Sequence, residues 1–244
     1  MRIHLQTFGI LKETHPSRTL ELPTGSTVAD LLTSLAPLNL KGIAVSVNLE
    51  FATPTQILHD NDEVGLLPPV SGGSQQITKS TSEILAAAKS NPQGQTALTL
   101  DTIPTSELTT LAKAGSDGAV LIFEGIVRNQ TKGRTTLYLD YSAYESMAAL
   151  ELQKLAVESI TRFAIRHATL IHRLGRIEIG ETSVLILVAS AHRAAAYEAS
   201  RWLIETLKSR APIWKREHFS DGSVWAPGEA FPAALQIDPP ASPH

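Results

Sequence analysis

An α+β fold in two units is what this sequence predicts, and three observations carry that expectation. Short period-2 strand patterns alternate with helical patterns along the whole chain. The composition changes abruptly near residue 74, where a polar stretch begins. The length of 244 residues suits one large domain or two ordinary ones.

The first unit is read over residues 1–73. Ile3, Leu5 and Thr7 alternate with His4 and Gln6, a strand pattern, and Thr19 to Leu22 is its hairpin partner. Thr27-Val-Ala-Asp30 makes a capping box, with Val28, Leu31, Leu32 and Leu35 at helical spacing behind it. Pro37 ends that helix. Ile43 to Val47 is a β-branched strand and Val64 to Leu67 another. Strand–strand–helix–strand–strand in this length suits a β-grasp, ubiquitin-like domain. It closes with Pro68-Pro69-Val70-Ser71-Gly72-Gly73. Residues 74–95 are rich in Ser, Gln and Asn-Pro and read as a linker, with a short helix possible over Ser82 to Lys89.

The second unit is read over residues 96–226. Ala119 to Val127 is an apolar strand. Tyr144 to Arg166 is a helix whose inner face carries Leu152, Leu155, Ala156, Ile160 and Phe163. Thr169 to Ile179 and Thr182 to Ala189 are strands parted by Gly180. Ala194 to Ser209 is a second helix, stopped before Pro212. Residues 227–244 are proline-rich and expected to be a mobile tail.

Composition narrows the function classes. Hydrophobic residues make up 43% and charged residues 18%, enough to bury a core. A formal net charge of -3 argues against bulk nucleic-acid binding. It leaves room for a local basic pocket that takes a small anion. With no cysteine, any sulfur chemistry must use sulfur carried by another group. No segment reaches ~18 uninterrupted apolar residues and Met1 to Ile10 lacks the apolar run of a signal peptide, so a cytoplasmic protein without a membrane span is expected.

Two features carry the chemistry. Gly72-Gly73 follows a strand and two prolines: a stiff stem, then a tip without side chains that can thread a narrow channel. Basic residues then cluster where strands end and helices begin or stop. They are Arg128 after a strand, His192 and Arg193 at a strand-to-helix step, and Lys208, Lys215 and Arg216 around a helix end, with the carboxylate of Glu217 next in sequence. Strand-to-helix steps suit anions, because the first helical N–H groups are unpaired there.

The segment DNDEVGLLPPVSGG resembles the end of the small, sulfur-carrier subunit of molybdopterin synthase, and residues 1–73 match that subunit in order of elements. Six ordered blocks over roughly 117–225 resemble the large, catalytic subunit: DGAVLIFEGIVRN, YESM, IHRLGRIEIGE, SAHRAAAYEA, LKSRAPIWKRE and the G-x-x-W of Gly222 to Trp225. The resemblance implies the hammerhead-type α/β fold of that subunit for the second unit. It also implies sulfur transfer to cyclic pyranopterin monophosphate, giving the dithiolene of molybdopterin. Lys208 and Lys215 would be catalytic, and Arg128, His192, Arg193, Arg216 and Glu217 would bind substrate. Gly72 and Gly73 would form the carrier terminus. Sulfur would ride as a thiocarboxylate on Gly73, installed by an ATP-dependent adenylating enzyme, with no metal or other cofactor. The family's large subunits pair, so a homodimer through the C-terminal domain is expected.

One departure matters. Gly73 is followed by Ser74, and an amide cannot hold the sulfur. Cleavage after Gly73 is therefore expected. Phe123, Trp214 and Trp225 read more simply as core than as stacking platforms. Two other readings compete: an adaptor in which Gly72-Gly73 is a hinge, and a carrier for another sulfur transfer such as thiazole formation.

Overall fold

The computed structural model describes residues 1–8, 11, 15–35, 43–68 and 77–226. Its contacts divide the chain between Gly73 and Ser74. Gly72, Gly73, Pro37 and residues 227–244 lie outside the described residues.

The first unit contains β1 (Arg2–Thr7), β2 (Arg18–Glu21), α1 (Val28–Ser34), β3 (Ala44–Val47), β4 (Glu50–Phe51) and β5 (Asp62–Leu67). Its sheet runs β2-β1-β5-β3-β4. The first and last strands are parallel neighbours, Leu5 beside Val64, and the remaining pairs are antiparallel. This is the β-grasp arrangement. One face buries Ile3, Leu5, Val45, Val64 and Leu66 against Val28, Leu31 and Leu32. The expected capping box forms: Asp30 N–H donates to Thr27 Oγ1 at 3.3 Å, and Thr27 N–H donates back to Asp30 Oδ2 at 2.8 Å. Asn48 and Leu49 both take positive φ in the tight turn between β3 and β4. Asn48 is secured there by donating to the Asp62 carboxylate at 2.8 Å.

The second unit contains α2 (Thr81–Ser90), β6 (Thr96–Thr99), α3 (Thr105–Ala112), β7 (Ala119–Ile126), β8 (Gln130–Thr131), β9 (Arg134–Ala143) and α4 (Glu145–Phe163). It continues through β10 (His167–Arg173), β11 (Gly175–Glu178), β12 (Thr182–Ser190), α5 (Arg193–Arg210), β13 (Ile213–Phe219) and β14 (Gly222–Trp225). One sheet runs β6-β10-β12-β7, and another runs β11-β9-β13-β14 with β8 against β9. Long helices α4 and α5 cover one face of the first of these sheets, burying Leu152, Leu155, Leu203 and Leu207 on Leu170, Ile186 and Val188. Ile84 of α2 and Leu108 of α3 cover the other, against Ile171, Leu185 and Leu187.

Two readings of the sequence change here. The stretch 74–95, read as a linker with a possible short helix over Ser82 to Lys89, holds a well-capped helix that packs into the core: Glu83 N–H reaches Ser80 Oγ and Ser80 N–H donates to Glu83 at 2.8 Å. Its polar composition conceals one apolar stripe, in which Ile84 is fully buried and Leu85 and Ala88 pack beside it. Gln95 then donates to the Ile84 carbonyl at 2.7 Å, closing the helix onto the sheet. The segment Thr169 to Ile179, read as one strand, is two. It breaks at Gly175, whose φ of 74° is open to glycine at little cost, and β11 leaves for the other sheet.

Candidate functional site

The antiparallel β9–β13 pairing sets the centre of the second unit. Lys215 lies directly across from Tyr141, and Glu217 across from Leu139. Side chains alternate along a strand, so Lys215 and Glu217 share one face while Arg216 takes the other. On the first face the Lys215 ammonium meets the Glu217 carboxylate at 3.1 Å, with the lysine side chain 39% exposed and the glutamate only 7%. Tyr141 is half-buried beside them and packs against Val127, Leu139 and Ile177. On the second face, Arg216 is exposed, donates to Ser223 Oγ at 3.1 Å and stands over the Trp225 ring. The structure therefore does not bring Arg216 to Lys215 within one copy.

Lys208 sits in the last turn of α5, where a cation complements the partial negative charge of the helix end. Its charge is felt at Tyr141 together with that of Glu217. Burial first of all, and then Glu217, raise the Tyr141 pKa; a hydrogen bond to Ser183 and the charge of Lys208 oppose them. Beneath the tyrosine lies His172, edge-on at 5.0 Å between ring centroids. Burial lowers His172 to about 4, so the imidazole is neutral near pH 7. Its Nδ1 bonds the Arg173 carbonyl at 2.8 Å.

Arg128 approaches the same neighbourhood. It is exposed and follows Val127, whose N–H donates to the Glu181 carbonyl at 3.0 Å and whose side chain joins the cluster around Tyr141. His192 and Arg193 do not. His192 is the N-cap of α5 and Arg193 its first residue, both exposed, with no side chain capping that end. The β7–β12 pair is antiparallel, Ala119 against Ser190 and Ile126 near Thr182, so Arg128 and Arg193 leave it at opposite ends. Seven strand steps separate those ends by ~24 Å. Along α5, fifteen residues at the helical rise set Arg193 ~22 Å from Lys208. One copy thus brings Lys208, Lys215 and Glu217 to Tyr141, with Arg128 following the end of β7 next to Val127, and holds His192 and Arg193 at the far end of α5.

Other residues near these in sequence have structural tasks. Arg210 pairs with the buried Glu151 at 2.8 Å and with Glu158 at 3.4 Å, tying α5 to α4. Lys132 has φ of 48° at the tip of the β8–β9 hairpin. Trp214 is buried, Phe123 packs on the α4–α5 core, and Trp225 is half-buried beside Arg216. Sequence reasoning missed Tyr141 and Ser183. Their signal is topological, since only the register of β9 against β13 brings Tyr141 to the lysines.

Among the described residues, no group of three or more His, Asp or Glu could hold a metal ion. No helix among them is long and apolar enough to cross a membrane. A β-grasp unit with its last strand at the sheet centre, followed by an α/β unit with paired lysines around a buried carboxylate, defines a chain that joins a carrier to an enzyme.

Comparison with known proteins makes this specific. Residues 98–210 match the MoaE protein family, and residues 5–73 match the ThiS family. The molybdopterin synthase catalytic subunit of Halalkalibacterium halodurans is 47% identical over 108 residues, which are 44% of this chain and 69% of that protein. The subunit of the same name from Pyrococcus abyssi is 38% identical over 123 residues, 50% of this chain and 83% of that protein. The crystal structure of molybdopterin synthase from Staphylococcus aureus superposes with a TM-score of 0.51 at 37% identity, covering 53% of this chain and 94% of that one. The chain belongs to the molybdopterin synthase catalytic subunit family, with a sulfur-carrier domain of the ThiS family ahead of it. It is a sulfur-transferring enzyme of molybdenum cofactor biosynthesis.

Proposed function

We propose that this chain converts cyclic pyranopterin monophosphate to the dithiolene molybdopterin, using sulfur delivered as a thiocarboxylate on Gly73. The observation that carries this reading is the gathering of Lys208, Lys215 and Glu217 around Tyr141 in a chain whose first unit runs into Gly72-Gly73. The substrate and the thiocarboxylate are both anions. Cations at the meeting point offset their repulsion and stabilise charge that develops during transfer. The thiocarboxylate sulfur attacks a substrate carbon that carries an oxygen: the carbon–sulfur bond forms as the carbon–oxygen bond breaks, the departing oxygen leaves protonated, and a thioester joins the substrate to the tail. Water then cleaves that link, leaving sulfur on the product and a carboxylate on Gly73. Two such rounds give the dithiolene. Lys208 moves the proton, Lys215 partners it under the hold of Glu217, and no metal or redox cofactor takes part.

Gly73 must first be freed. Cleavage between Gly73 and Ser74 gives the carboxyl group that an ATP-dependent activating enzyme adenylates before sulfur is installed. The reaction uses small molecules and that enzyme, without nucleic acid or membrane, and the compartment is the cytoplasm.

The working form is a homodimer through the C-terminal unit. What supports this is the distance within one copy between Arg193 and Lys208, ~22 Å along α5, which is too long for one phosphate-bearing pterin to span with both ends held directly. A second copy related by a two-fold axis supplies His192 and Arg193 to the centre of the first, and receives the same in return. Arg128 completes the anion-binding rim, and Arg216, on the opposite face of β13, takes no part in it. The test is reconstitution. Purified chain with pyranopterin, activating enzyme, ATP and a sulfide source makes molybdopterin, and Lys208→Ala, which leaves the fold intact, does not. Normal product formation by a folded Lys208→Ala protein would overturn the assignment.

A further inference from the structure

The block IHRLGRIEIGE carries two charged residues, Arg173 and Glu181, to which the reaction above gives no task. They bracket an excursion of the chain. β10 ends at Arg173, β11 leaves for the other sheet, and Glu181 precedes the return along β12. The fold brings the two together: Arg173 Nη1 donates to Glu181 Oε2 at 3.0 Å, with the arginine side chain 11% exposed and the glutamate 34%.

Glu181 also closes a turn. Its Oε2 accepts the Glu178 N–H at 2.9 Å, and its own N–H donates to the Glu178 carbonyl at 3.1 Å. Gly180 supplies the positive φ, 84°, that the third position of such a turn can require. The main chain of the turn then grips the end of β7. Val127 N–H donates to the Glu181 carbonyl at 3.0 Å, and Gly180 N–H donates to the Val127 carbonyl at 2.9 Å. Val127 is the residue that carries Arg128. Its side chain is anchored among Leu139 and Ile177, while the two backbone bonds fix the direction in which the chain leaves.

Apolar packing does little for this turn, since Glu178 is exposed and Ile179 is 42% exposed. A largely buried ion pair adds little net stability, but breaking it from one side strands a charge. Here Arg173 Nε has no hydrogen-bond partner among the described residues, so the arginine depends on Glu181.

We propose that Arg173 and Glu181 are positioning residues, which act through the 178–181 turn to fix the exit of β7 and so aim Arg128 at the anionic substrate. The proposal rests on the reading of Arg128 as an anion ligand; the link from Glu181 to Val127 stands on geometry alone. A ligand that grips substrate and transition state alike shows in KM rather than in kcat.

The experiment has two arms. In reconstituted synthesis, Glu181→Gln is expected to raise KM for the pyranopterin by roughly fivefold or more, with kcat within about twofold. In an Arg128→Ala background the same change is expected to move KM by no more than about twofold, because both act through one contact. The second arm needs no catalysis. Hydrogen exchange at the Val127 amide, read by NMR or by peptide mass spectrometry, is expected to quicken in Glu181→Gln, with the amides of β10 unchanged. Should Glu181→Gln fail to fold by stranding the arginine, the double variant Arg173→Met/Glu181→Gln leaves no buried charge and carries both arms. An unchanged KM, a fall in kcat alone, equal losses with and without Arg128, or unaltered exchange at Val127 would each overturn the proposal. An unaltered protein that makes no molybdopterin defeats the sulfur-transfer reading instead, and the exchange arm then decides on the turn by itself.

Discussion

Mixing two impaired variants tests whether the reaction centre is shared between copies. Lys208→Ala removes the proposed proton carrier at the end of α5, and Arg193→Ala removes the proposed anion ligand at its start, ~22 Å away along the helix. Alone, Lys208→Ala is expected to give no product. Arg193→Ala loses a charge-assisted contact of ~1.5–3 kcal/mol, so below saturation its rate falls roughly tenfold or more. When equal amounts are unfolded together and allowed to reassociate, half of the dimers are mixed. In a two-fold dimer whose centres each combine Lys208 of one copy with Arg193 of the other, every mixed dimer has one intact centre and one doubly damaged one. A quarter of all centres are then whole, and the rate returns to ~25% of the unaltered protein. If both residues served a centre within one copy, mixing would rescue nothing, and the rate would stay at the parents' mean of ~5% or less. The assay is molybdopterin formation at low pyranopterin concentration. A rate at or below the parents' mean, with light scattering showing that mixed dimers formed, would refute the shared centre.

Two further outcomes concern stability. Burial lowers His172 from the ordinary 6.5 to about 4, so the unfolded chain binds this proton more readily between those values. Stability is then full above pH 6.5 and is lost as the pH falls toward 4, by ~3 kcal/mol from this group. His172→Gln should flatten that part of the pH–stability curve in chemical denaturation, and an undiminished slope would count against the buried neutral imidazole. Ile84→Ala, in the stretch that reads as linker, should cost ~2–5 kcal/mol because the side chain is fully buried under the sheet. An unfolding midpoint unmoved by this change would mean that α2 is not part of the core.

The first unit was legible because its signals are local. Alternation in Ile3 to Thr7, the Thr27–Asp30 box and the β-branched run at Val45 and Val47 each act within a few residues. In the second unit the long helices were equally plain, since Leu152, Leu155, Leu203 and Leu207 mark continuous faces. The hairpins were not. β9 alternates Leu137, Leu139 and Tyr141 with Tyr138 and Asp140, and aromatic residues on both faces blur the period. The break at Gly175 was hidden because β10 is buried throughout and β11 continues its apolar alternation. The candidate site residues were named from motifs, but their grouping in space was not. Which end of α5 faces the Tyr141 cluster depends on the antiparallel register of β7 with β12 and of β9 with β13, and no local pattern encodes register between strands so far apart in sequence. The resemblance put both Arg216 and Glu217 among the substrate-binding residues, and strand alternation turns them to opposite faces.

The central claim is that the first unit feeds sulfur to the second from a freed Gly73. Intact mass spectrometry of a preparation that is actively making molybdopterin tests it most directly. The account predicts two species in place of the 26.3 kDa chain, one ending at Gly73 and the other beginning at Ser74, with the first gaining the mass of sulfur in place of oxygen once the activating enzyme, ATP and sulfide are added. Activity from a preparation that contains only the uncut 26.3 kDa chain would contradict it.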